Sequence, residues 1–236
     1  VGALCIYHPE PRYFSGGPLI AGIVITYRPE TSILRKTVQS LIDQVDHLFI
    51  VDNGSSVKAG EFVSDHERLT LIQLEDNYGI AKAQNRGIAE ARKVGADYVV
   101  LSDQDTRYPP GAISQLMDVF DRWPLAAAVV PKFNDVNKAG RDGFILASSI
   151  FFSPSQVDGG EYDLLQAIAS GKLIRLSALD QVGLMYEDLF IDWVDIEWCW
   201  RARARGYQIV GSADVVIDHA LGDESLAIGY REVNLR

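Results

Sequence analysis

Two carboxylates, Asp103 and Asp105, stand two residues apart directly after the short apolar run 98–101. An apolar run of this length is typical of a buried strand, so both side chains are expected just beyond the strand's carboxyl end. Open α/β sheets bind ligands at that edge. Two carboxylates there suit one hard divalent cation, which would neutralise a diphosphate. An ordinary Asp-rich turn is the alternative interpretation, because Asp side chains often bond nearby backbone.

The composition is that of an ordinary globular protein with no general affinity for nucleic acid. The 236 residues are 47% hydrophobic and 23% charged, and 22 Lys and Arg against 32 Asp and Glu give a formal net charge of −10. An anionic substrate would therefore need a cation or a few well-placed basic side chains. Two cysteines, Cys5 and Cys199, make no disulfide framework, which favours a reducing compartment and a core position for Cys199. No apolar run approaches the ~20 residues of a spanning helix, and residues 1–17 lack the pattern of a signal peptide.

Apolar runs and helical patterns alternate along the first half of the chain. Strands are predicted at 19–26, 47–51, 69–74 and 98–101, and helices at 31–44, 57–67, 79–93 and 109–123. Such alternation gives a mostly parallel sheet covered by helices on both faces. Right-handed crossovers put the turns after each strand on one edge. The turns that carry Tyr27, Asp52, Asn77 and Asp103 are therefore expected to meet in one cleft.

The second half has a less regular pattern. Strands are predicted at 126–130, 144–152, 162–169, 207–210 and 215–217, and helices at 177–182 and 192–205. The chain contains no internal repeat, no low-complexity tract and no linker that would separate two domains. These patterns predict an irregular N-terminal arm at 1–18, followed by one α/β domain at 19–236.

Short motifs follow one another in a fixed order between about residues 20 and 220. They are Val24-Ile25-Thr26-Tyr27, Val51-Asp52-Asn53-Gly54-Ser55, Asn77-Tyr78-Gly79-Ile80-Ala81, Asn85-Arg86-Gly87, Asp103-Gln104-Asp105, Ala169-Ser170-Gly171 and Asp195-Ile196-Glu197. This ordered set resembles the family 2 glycosyltransferases of the GT-A fold. The segments 102–105, 190–201 and 219–223 resemble the rhamnosyltransferase branch more closely, whose members move rhamnose from a dTDP-sugar to a growing bacterial surface polysaccharide.

The chain departs from the family pattern in two places. The common Glu-Asp pair appears here as Val194-Asp195, so only the Asp is retained. The sequence ends at Arg236, where relatives usually continue, so a C-terminal acceptor-binding or membrane element is expected to be absent. The resemblance implies a nucleotide-binding half at about 19–130 and an acceptor half at about 131–236.

The resemblance also implies a nucleotide site, formed by Tyr27, Asp52, Asn77, Gly79, Asn85 and Asp103. Asp52 would accept a hydrogen bond from the N3–H of thymine or uracil, and Tyr27 would stack on that base or pack in the core. Asp52 could instead close an Asx-turn, and Asn77 could cap the following helix. Asn85 and Arg86 lie on that helix, where Arg86 would reach a phosphate or remain solvated.

A divalent cation is the expected cofactor. The resemblance implies that Asp103 lies nearer the ribose and that Asp105 is the firmer metal ligand. Oxygen-only sites suit Mg²⁺ or Mn²⁺. His219, which follows the predicted strand 215–217, would supply a third ligand or a phosphate contact, unless its role is structural.

Asp195 is the predicted general base. An inverting transfer needs one carboxylate to take the proton of the acceptor hydroxyl while its oxygen attacks the anomeric carbon. The alternative interpretation is structural: Asp192 would be the N-cap of the helix and Asp195 its N3 residue, both near positive backbone dipoles. The same position at the helix start would keep Asp195 ionised.

The neighbours of Asp195 form the predicted acceptor and supporting side, namely Ser170, Trp193, Glu197 and Arg201. Glu197 faces another side of the helix and is placed to pair with Arg201 four residues later. Trp193 forms an aromatic cluster with two further tryptophans. One of the three rings would stack on a sugar, whereas most of their surface area would be buried in the core.

The sequence therefore predicts an inverting glycosyltransferase. The expected donor is dTDP-L-rhamnose, with a UDP-sugar as the alternative, and the acceptor is a glycan or a lipid-linked saccharide in synthesis of a cell-wall or O-antigen type polysaccharide. The expected location is the cytoplasm, at the inner face of the cell membrane, with peripheral association through the C-terminal part that is expected to be missing here.

Two other functions fit the sequence less well. A nucleotidyltransferase that makes sugar nucleotides would need a glycine-rich basic loop after the first strand, where this chain has Tyr27-Arg28-Pro29-Glu30. A catalytically silent glycan-binding or scaffold domain would not need Asp103, Asp105 and Asp195 together.

Overall fold

A computed structural model describes residues 17–56, 66–135, 143–149 and 153–219, apart from the side chains of Asp135 and His219. Nearly all of the predicted N-terminal arm and of the predicted helix 57–67 lie outside these ranges, as does the end of the predicted strand 144–152. Within them, no helix is long and apolar enough to cross a membrane.

The first half alternates strands and helices as the sequence predicts. Its elements are β1 (Ile20–Thr26), α1 (Thr31–Leu41), β2 (His47–Asp52), β3 (Leu69–Gln73), α2 (Ile80–Lys93), β4 (Tyr98–Asp103), β5 (Thr106–Arg107) and α3 (Ala112–Arg122). β1 lies between β2 and β4, β3 pairs with β2, and all three pairings are parallel. The carboxyl ends of these strands therefore meet at one edge of the sheet, as predicted.

The second half adds mainly antiparallel strands. Its elements are β6 (Ala126–Asp135), β7 (Ile145–Leu146), β8 (Glu161–Gln166), β9 (Lys172–Arg175), α4 (Leu176–Val182), α5 (Val194–Ala204) and β10 (Gln208–His219). The strand order is β3-β2-β1-β4-β9-β6-β10-β8-β7, with β5 paired to β10. β6 and β10 are parallel, whereas β9 is antiparallel to both β4 and β6. The sheet is therefore mixed, and the prediction of a mostly parallel sheet holds only for its first half.

Two strands differ from the sequence-based prediction. β9, which the sequence pattern missed, begins with the charged residue Lys172, and that side chain is fully buried. β10 is one continuous strand, not two short ones, and its pairing with β6 shifts register between Ser212 and Val216. The break predicted between the strands 207–210 and 215–217 is therefore an irregularity of pairing within one strand.

Helices cover both faces of the sheet. Neighbouring strand residues alternate between two cores: Ile23 and Ile25 face the core formed with α2, α4 and α5, whereas Val24 faces the core formed with α1 and α3. Close packing on the first face requires small residues in α2, because a Cβ added at Gly87 would lie 2.4 Å from Ile23 Cγ2. Cys199 is a buried free thiol in this core, as predicted.

Candidate active site

A pocket of about 290 Å³ opens where β1, β2 and β4 end. Five of the predicted site residues line it, namely Tyr27, Asn77, Gly79, Asp103 and Asp105. The other lining residues are Ile25, Thr26, Asn53, Ile80, Gln104, Phe190 and Ile191. The prediction that the turns after these strands meet in one cleft is therefore confirmed.

Gln104, the residue between the two carboxylates, fixes their turn to the neighbouring elements. Its Oε1 accepts hydrogen bonds from Thr26 Oγ1 at 2.8 Å and from the backbone N–H of Tyr27 at 2.9 Å. Its backbone carbonyl accepts a third bond from Thr37 Oγ1 on α1 at 2.7 Å. The role of Gln104 is not visible in the sequence, because the motif singles out only the carboxylates beside it.

A pair of asparagines shapes the opposite side of the pocket. Asn53 Nδ2 donates to Asn77 Oδ1 at 2.8 Å, and Asn53 Oδ1 accepts from the backbone N–H of Tyr78 at 3.0 Å. Asn77 Oδ1 also accepts from Gly79 N–H at 3.0 Å. Asn77 thus orders the turn before α2, but the N-cap residue of that helix is Gly79.

Another segment of the protein, at Phe190, approaches the backbone of Gly79 closely. The φ of +86° at Gly79 favours glycine, and an added Cβ would lie 2.5 Å from the carbonyl oxygen of Phe190. The same carbonyl accepts from Ile80 N–H at 2.7 Å, which satisfies the first turn of α2. Phe190 itself has a φ of +59°. A strained segment before α5 therefore closes one side of the pocket.

Asp52 and Asn85, both predicted to bind nucleotide, do not line the pocket that the described residues form. Asp52 is fully buried, and its Oδ1 accepts from the backbone N–H of Ser55 at 3.0 Å and from the hydroxyl at 2.5 Å. This contact agrees with the alternative interpretation, in which the Asp52 side chain closes a turn. Asn85 Nδ2 donates to Met185 O and Glu187 Oε1, both at 2.9 Å, and its Oδ1 accepts from Met185 N–H at 3.0 Å. These bonds turn its amide toward the 185–187 segment.

Asp103 is held from the side by the strand that sequence analysis missed. β9 runs antiparallel beside β4, which brings Ser170 next to the end of β4. The fully buried Ser170 donates a hydrogen bond from its Oγ to Asp103 Oδ2. Ser170, predicted on the acceptor side, thus orients a carboxylate of the nucleotide side.

His219 is placed near Asp105 by backbone pairing. Asp105 directly precedes β5, in which Thr106 pairs with His219 of β10. The side chain of His219 lies outside the described part of the structure, so its predicted metal contact stays a prediction. Among the described side chains, no group of three or more His, Cys, Asp or Glu could hold a metal ion.

Asp195 lies in the first turn of α5, one residue earlier in the helix than expected. The N-cap is Trp193, with a φ of +68°, so the predicted pair of Asp192 at N-cap and Asp195 at N3 is wrong. Asp195 Oδ2 accepts from the backbone N–H of Ala169 at 3.0 Å. Its Oδ1 is buried and accepts no hydrogen bond among the described residues, and Asp195 does not line the pocket that these residues form.

Burial and charge act in opposite directions on Asp195. Burial raises the pKa of its carboxyl group, the nearby Lys172 cation lowers the pKa, and the Asp103 carboxylate raises it again. The sequence-based expectation that the helix start keeps Asp195 ionised is therefore incomplete, because burial favours the neutral form. A carboxylate with a raised pKa is a stronger base once it is ionised.

Glu197 and Arg201 form the predicted pair on α5. Arg201 Nε and Nη2 donate to the two Glu197 carboxylate oxygens at 2.8 and 2.7 Å. The guanidinium also donates to the carbonyls of Val182 at 2.8 Å and Leu184 at 2.9 Å. The pair therefore fastens α5 to the end of α4, a supporting role as predicted.

The tryptophans near Asp195 divide between core and surface. Trp198 is fully buried, whereas Trp193 is 58% exposed and Trp200 39% exposed. The rings of Trp193 and Trp200 meet edge to face, with centroids 5.7 Å apart. This exposed pair starts at the residue two positions before Asp195, so an aromatic surface adjoins the predicted base.

The sequence matches a family profile and several individual proteins. The profile described as Glycosyl transferase family 2 matches residues 22–183. The dTDP-rhamnosyl transferase RfbF of Shigella flexneri is 32% identical over 217 residues, which cover 89% of this chain and 71% of that protein. An N-acetylglucosaminyl-diphospho-decaprenol L-rhamnosyltransferase of Mycobacterium tuberculosis (strain ATCC 25618 / H37Rv) is 26% identical over 154 residues, 61% of this chain and 48% of that protein. The chain thus spans only part of the length of both relatives.

Solved structures share the fold at low sequence identity. GalNAc-T7, crystallised with UDP, GalNAc and Mn²⁺, superposes with a TM-score of 0.66 at 13% identity, over 88% of this chain and 44% of that one. Staphylococcus aureus TarS gives a TM-score of 0.65 at 18% identity, over 85% and 36%. Because the family profile matches more than half of the chain, this chain belongs to glycosyl transferase family 2, and it has the GT-A fold that its motifs predict.

Proposed function

We propose that this glycosyltransferase moves L-rhamnose from dTDP-L-rhamnose to a saccharide acceptor with inversion, in the synthesis of a bacterial surface polysaccharide. The main support for the proposal is that two consecutive residues bind one carboxylate in the proposed donor site and one in the proposed acceptor site. Ser170 bonds to Asp103 in the pocket, and Ala169 bonds to Asp195 in α5. The name of the Shigella relative supports the choice of donor.

The donor nucleotide would lie in the pocket, within the half of the domain at about 19–130. Tyr27 and Asn77 would flank the nucleoside, with Asp103 nearest the ribose and Asp105 nearest the diphosphate. Two pocket carboxylates fit Mg²⁺ or Mn²⁺, because such ions commonly bind one or two protein carboxylates together with substrate phosphates. When bound, the cation would neutralise the charge that develops on the departing diphosphate. The backbone position of His219 beside Thr106 supports it as a further contact.

Asp195 would act as the general base in the acceptor half, at about 131–236. Its carboxylate would take the proton of the acceptor hydroxyl while the hydroxyl oxygen forms a bond to the anomeric carbon. The bond from the anomeric carbon to the diphosphate oxygen breaks on the opposite face, so the configuration inverts. The exposed rings of Trp193 and Trp200 would offer apolar faces to the acceptor sugar.

The proposed acceptor is a glycan or a lipid-linked saccharide. The name of the mycobacterial relative includes a decaprenol-linked sugar, which supports the lipid-linked class. With such an acceptor, the reaction would take place in the cytoplasm at the inner face of the cell membrane.

Release of nucleotide from a purified sugar donor tests the proposal. The chain is incubated with dTDP-L-rhamnose or UDP-sugars, with Mn²⁺, Mg²⁺ or a chelator, and free nucleoside diphosphate is measured with and without saccharide acceptors. We expect metal-dependent release of dTDP that an acceptor accelerates. Nucleotide binding without release under any condition would instead indicate a catalytically silent domain.

Base preference tests the role of Asp52. If its carboxylate accepts the N3–H of the base, dTDP and UDP should outcompete CDP and GDP, since cytosine would leave two acceptors facing each other at a cost of roughly 1–3 kcal/mol. Competition binding is compared between the parent and Asp52→Asn. If Asp52 only closes the turn with Ser55, the variant should melt at a lower temperature with an unchanged base preference, and that result would remove Asp52 from the site.

The pH dependence of the rate tests Asp195. The base must be ionised to accept a proton, so kcat/KM should rise with pH through the pKa of Asp195. Because burial raises this pKa, the acid limb should lie above the ~3.9 of an ordinary Asp. Below it, the rate should fall by about tenfold per pH unit, since one proton is involved. A rate that stays constant down to about pH 4 would contradict the assignment.

A further inference from the structure

Lys172 is a fully buried lysine that none of the roles above uses. It opens β9, opposite Leu101 of β4, so it lies in the middle of the sheet. Its Nζ is 3.5 Å from the carbonyl oxygen of Asp195, 3.5 Å from Cys199 Sγ and 4.0 Å from Asp195 Oδ1. A buried ammonium is costly unless an anion compensates it. The Asp195 carboxylate is therefore the group that offsets the free-energy cost of burying the Lys172 ammonium in the core.

The dependence is mutual, because Asp195 is itself only 20% exposed. The charged groups that act on its carboxylate come from two strands: Lys172 from β9 and Asp103 from β4. On its own helix, the buried Cys199 thiol also contacts the Lys172 ammonium. Asp103 repels a negative charge on Asp195, and burial disfavours it, so Lys172 is the cation that opposes both effects.

We propose that Lys172 is a positioning residue for the general base: an internal cation that keeps the Asp195 carboxylate ionised and fixes its orientation at the start of the helix. The proposal rests on the proposed function, in which Asp195 takes that proton. Lys172 would touch no substrate and would act only through Asp195.

Replacing Lys172 by Met removes the cation while retaining a long apolar side chain. Asp195 would then share a poorly solvated site with Asp103 alone, which favours the protonated form. We expect the acid limb of kcat/KM to move to higher pH by about one unit, so that the rate at pH values below the parent's acid limb falls by about tenfold. Binding of dTDP with Mn²⁺ should be unchanged, because the pocket residues are intact.

A matched lysine on the neighbouring strand β6 provides the control. Lys132 is partly buried, and its Nζ donates to the carbonyl of Val157 at 2.7 Å, away from Asp195. Lys132→Met should leave both the position of the acid limb and the rate nearly unchanged. A similar shift in both variants would mean that any lysine lost from the sheet perturbs the site, and it would overturn the specific role of Lys172.

The double variant separates positioning from simple stabilisation. If Lys172 acts through Asp195, Lys172→Met should cost no further rate in an Asp195→Asn background, and the two changes should be non-additive in melting temperature. Additive losses of rate and of melting temperature would overturn the proposal. If Lys172→Met folds poorly, the melting temperatures still test the proposal. The double variant should then be more stable than Lys172→Met alone, because it lacks both charges and leaves neither one buried without a partner.

The parent enzyme distinguishes failure of this inference from failure of the proposed function. If the parent releases no dTDP, or if Asp195→Asn retains the parent rate, the proposed function is wrong, and the charge pairing is judged by the coupled melting temperatures. If the parent is active and Asp195→Asn is not, an unshifted acid limb in an active Lys172→Met variant refutes the role of Lys172 alone.

Discussion

Asp105→Ala is expected to abolish turnover together with the metal-dependent part of nucleotide diphosphate binding, while the fold survives. Asp105 lines the pocket, and its loss would remove one of the two carboxylates proposed to hold the cation. The turn should persist, because Gln104 fixes it to β1 and α1 and β5 pairs with β10. Calorimetry of dTDP binding with and without Mn²⁺ measures the expected loss.

The control for Asp105 is a carboxylate far from the pocket edge. Asp121 is exposed on α3, so Asp121→Ala changes the net charge equally without touching the pocket. It should bind dTDP with Mn²⁺ as the parent does. If Asp105→Ala also binds with the parent's affinity in the presence of Mn²⁺, Asp105 is not a metal ligand.

Asp195→Asn should lower kcat by about 10²–10⁴-fold with little change in donor affinity, because a general base contributes in the transition state. Asn can still accept from Ala169 N–H, so the helix start should keep its geometry. The melting temperature should fall as well, since Lys172 loses its counter-charge. Stability alone therefore does not identify the role of Asp195, and the single-turnover rate at saturating donor is the deciding measurement.

A surface carboxylate on α4 provides the control for this variant. Asp180 pairs with Arg92 at 2.6 Å on the surface, and Asp180→Asn should leave both the rate and the melting temperature nearly unchanged. If Asp195→Asn lowers the melting temperature while its single-turnover rate equals that of the parent, Asp195 is a structural carboxylate.

The strand–helix pattern predicts the first half of the fold well, because each element there repeats a clear period. β1, α2 and β4 begin and end within about two residues of the predicted bounds. β9 escaped prediction because its first residue, Lys172, is charged, and a charge at a fully buried position is visible only once Asp195 is brought beside it. Long-range pairing of this kind leaves no local period in the sequence.

The sequence places the site residues at strand ends but does not give the direction of their side chains. Asp103 and Asp105 reach the pocket as expected, whereas Asp52 bends back to Ser55 although it also ends a strand. Asn85 sits on the expected helix, yet its amide is turned to Met185, about a hundred residues away in sequence. Hydrogen-bond partners from distant segments decide these orientations.

Gln104 gives the pocket a fixed length before any donor arrives. Three hydrogen bonds would have to break for the turn that carries Asp103 and Asp105 to slide relative to Tyr27 and α1. In the proposed mode of binding, the distance between the nucleoside end and the diphosphate end would therefore be fixed, and a nucleotide would have to match it. A donor that binds as proposed would then meet a preorganised surface and lose less binding free energy to ordering the protein, whereas a nucleoside monophosphate sugar would be too short to engage both ends at once.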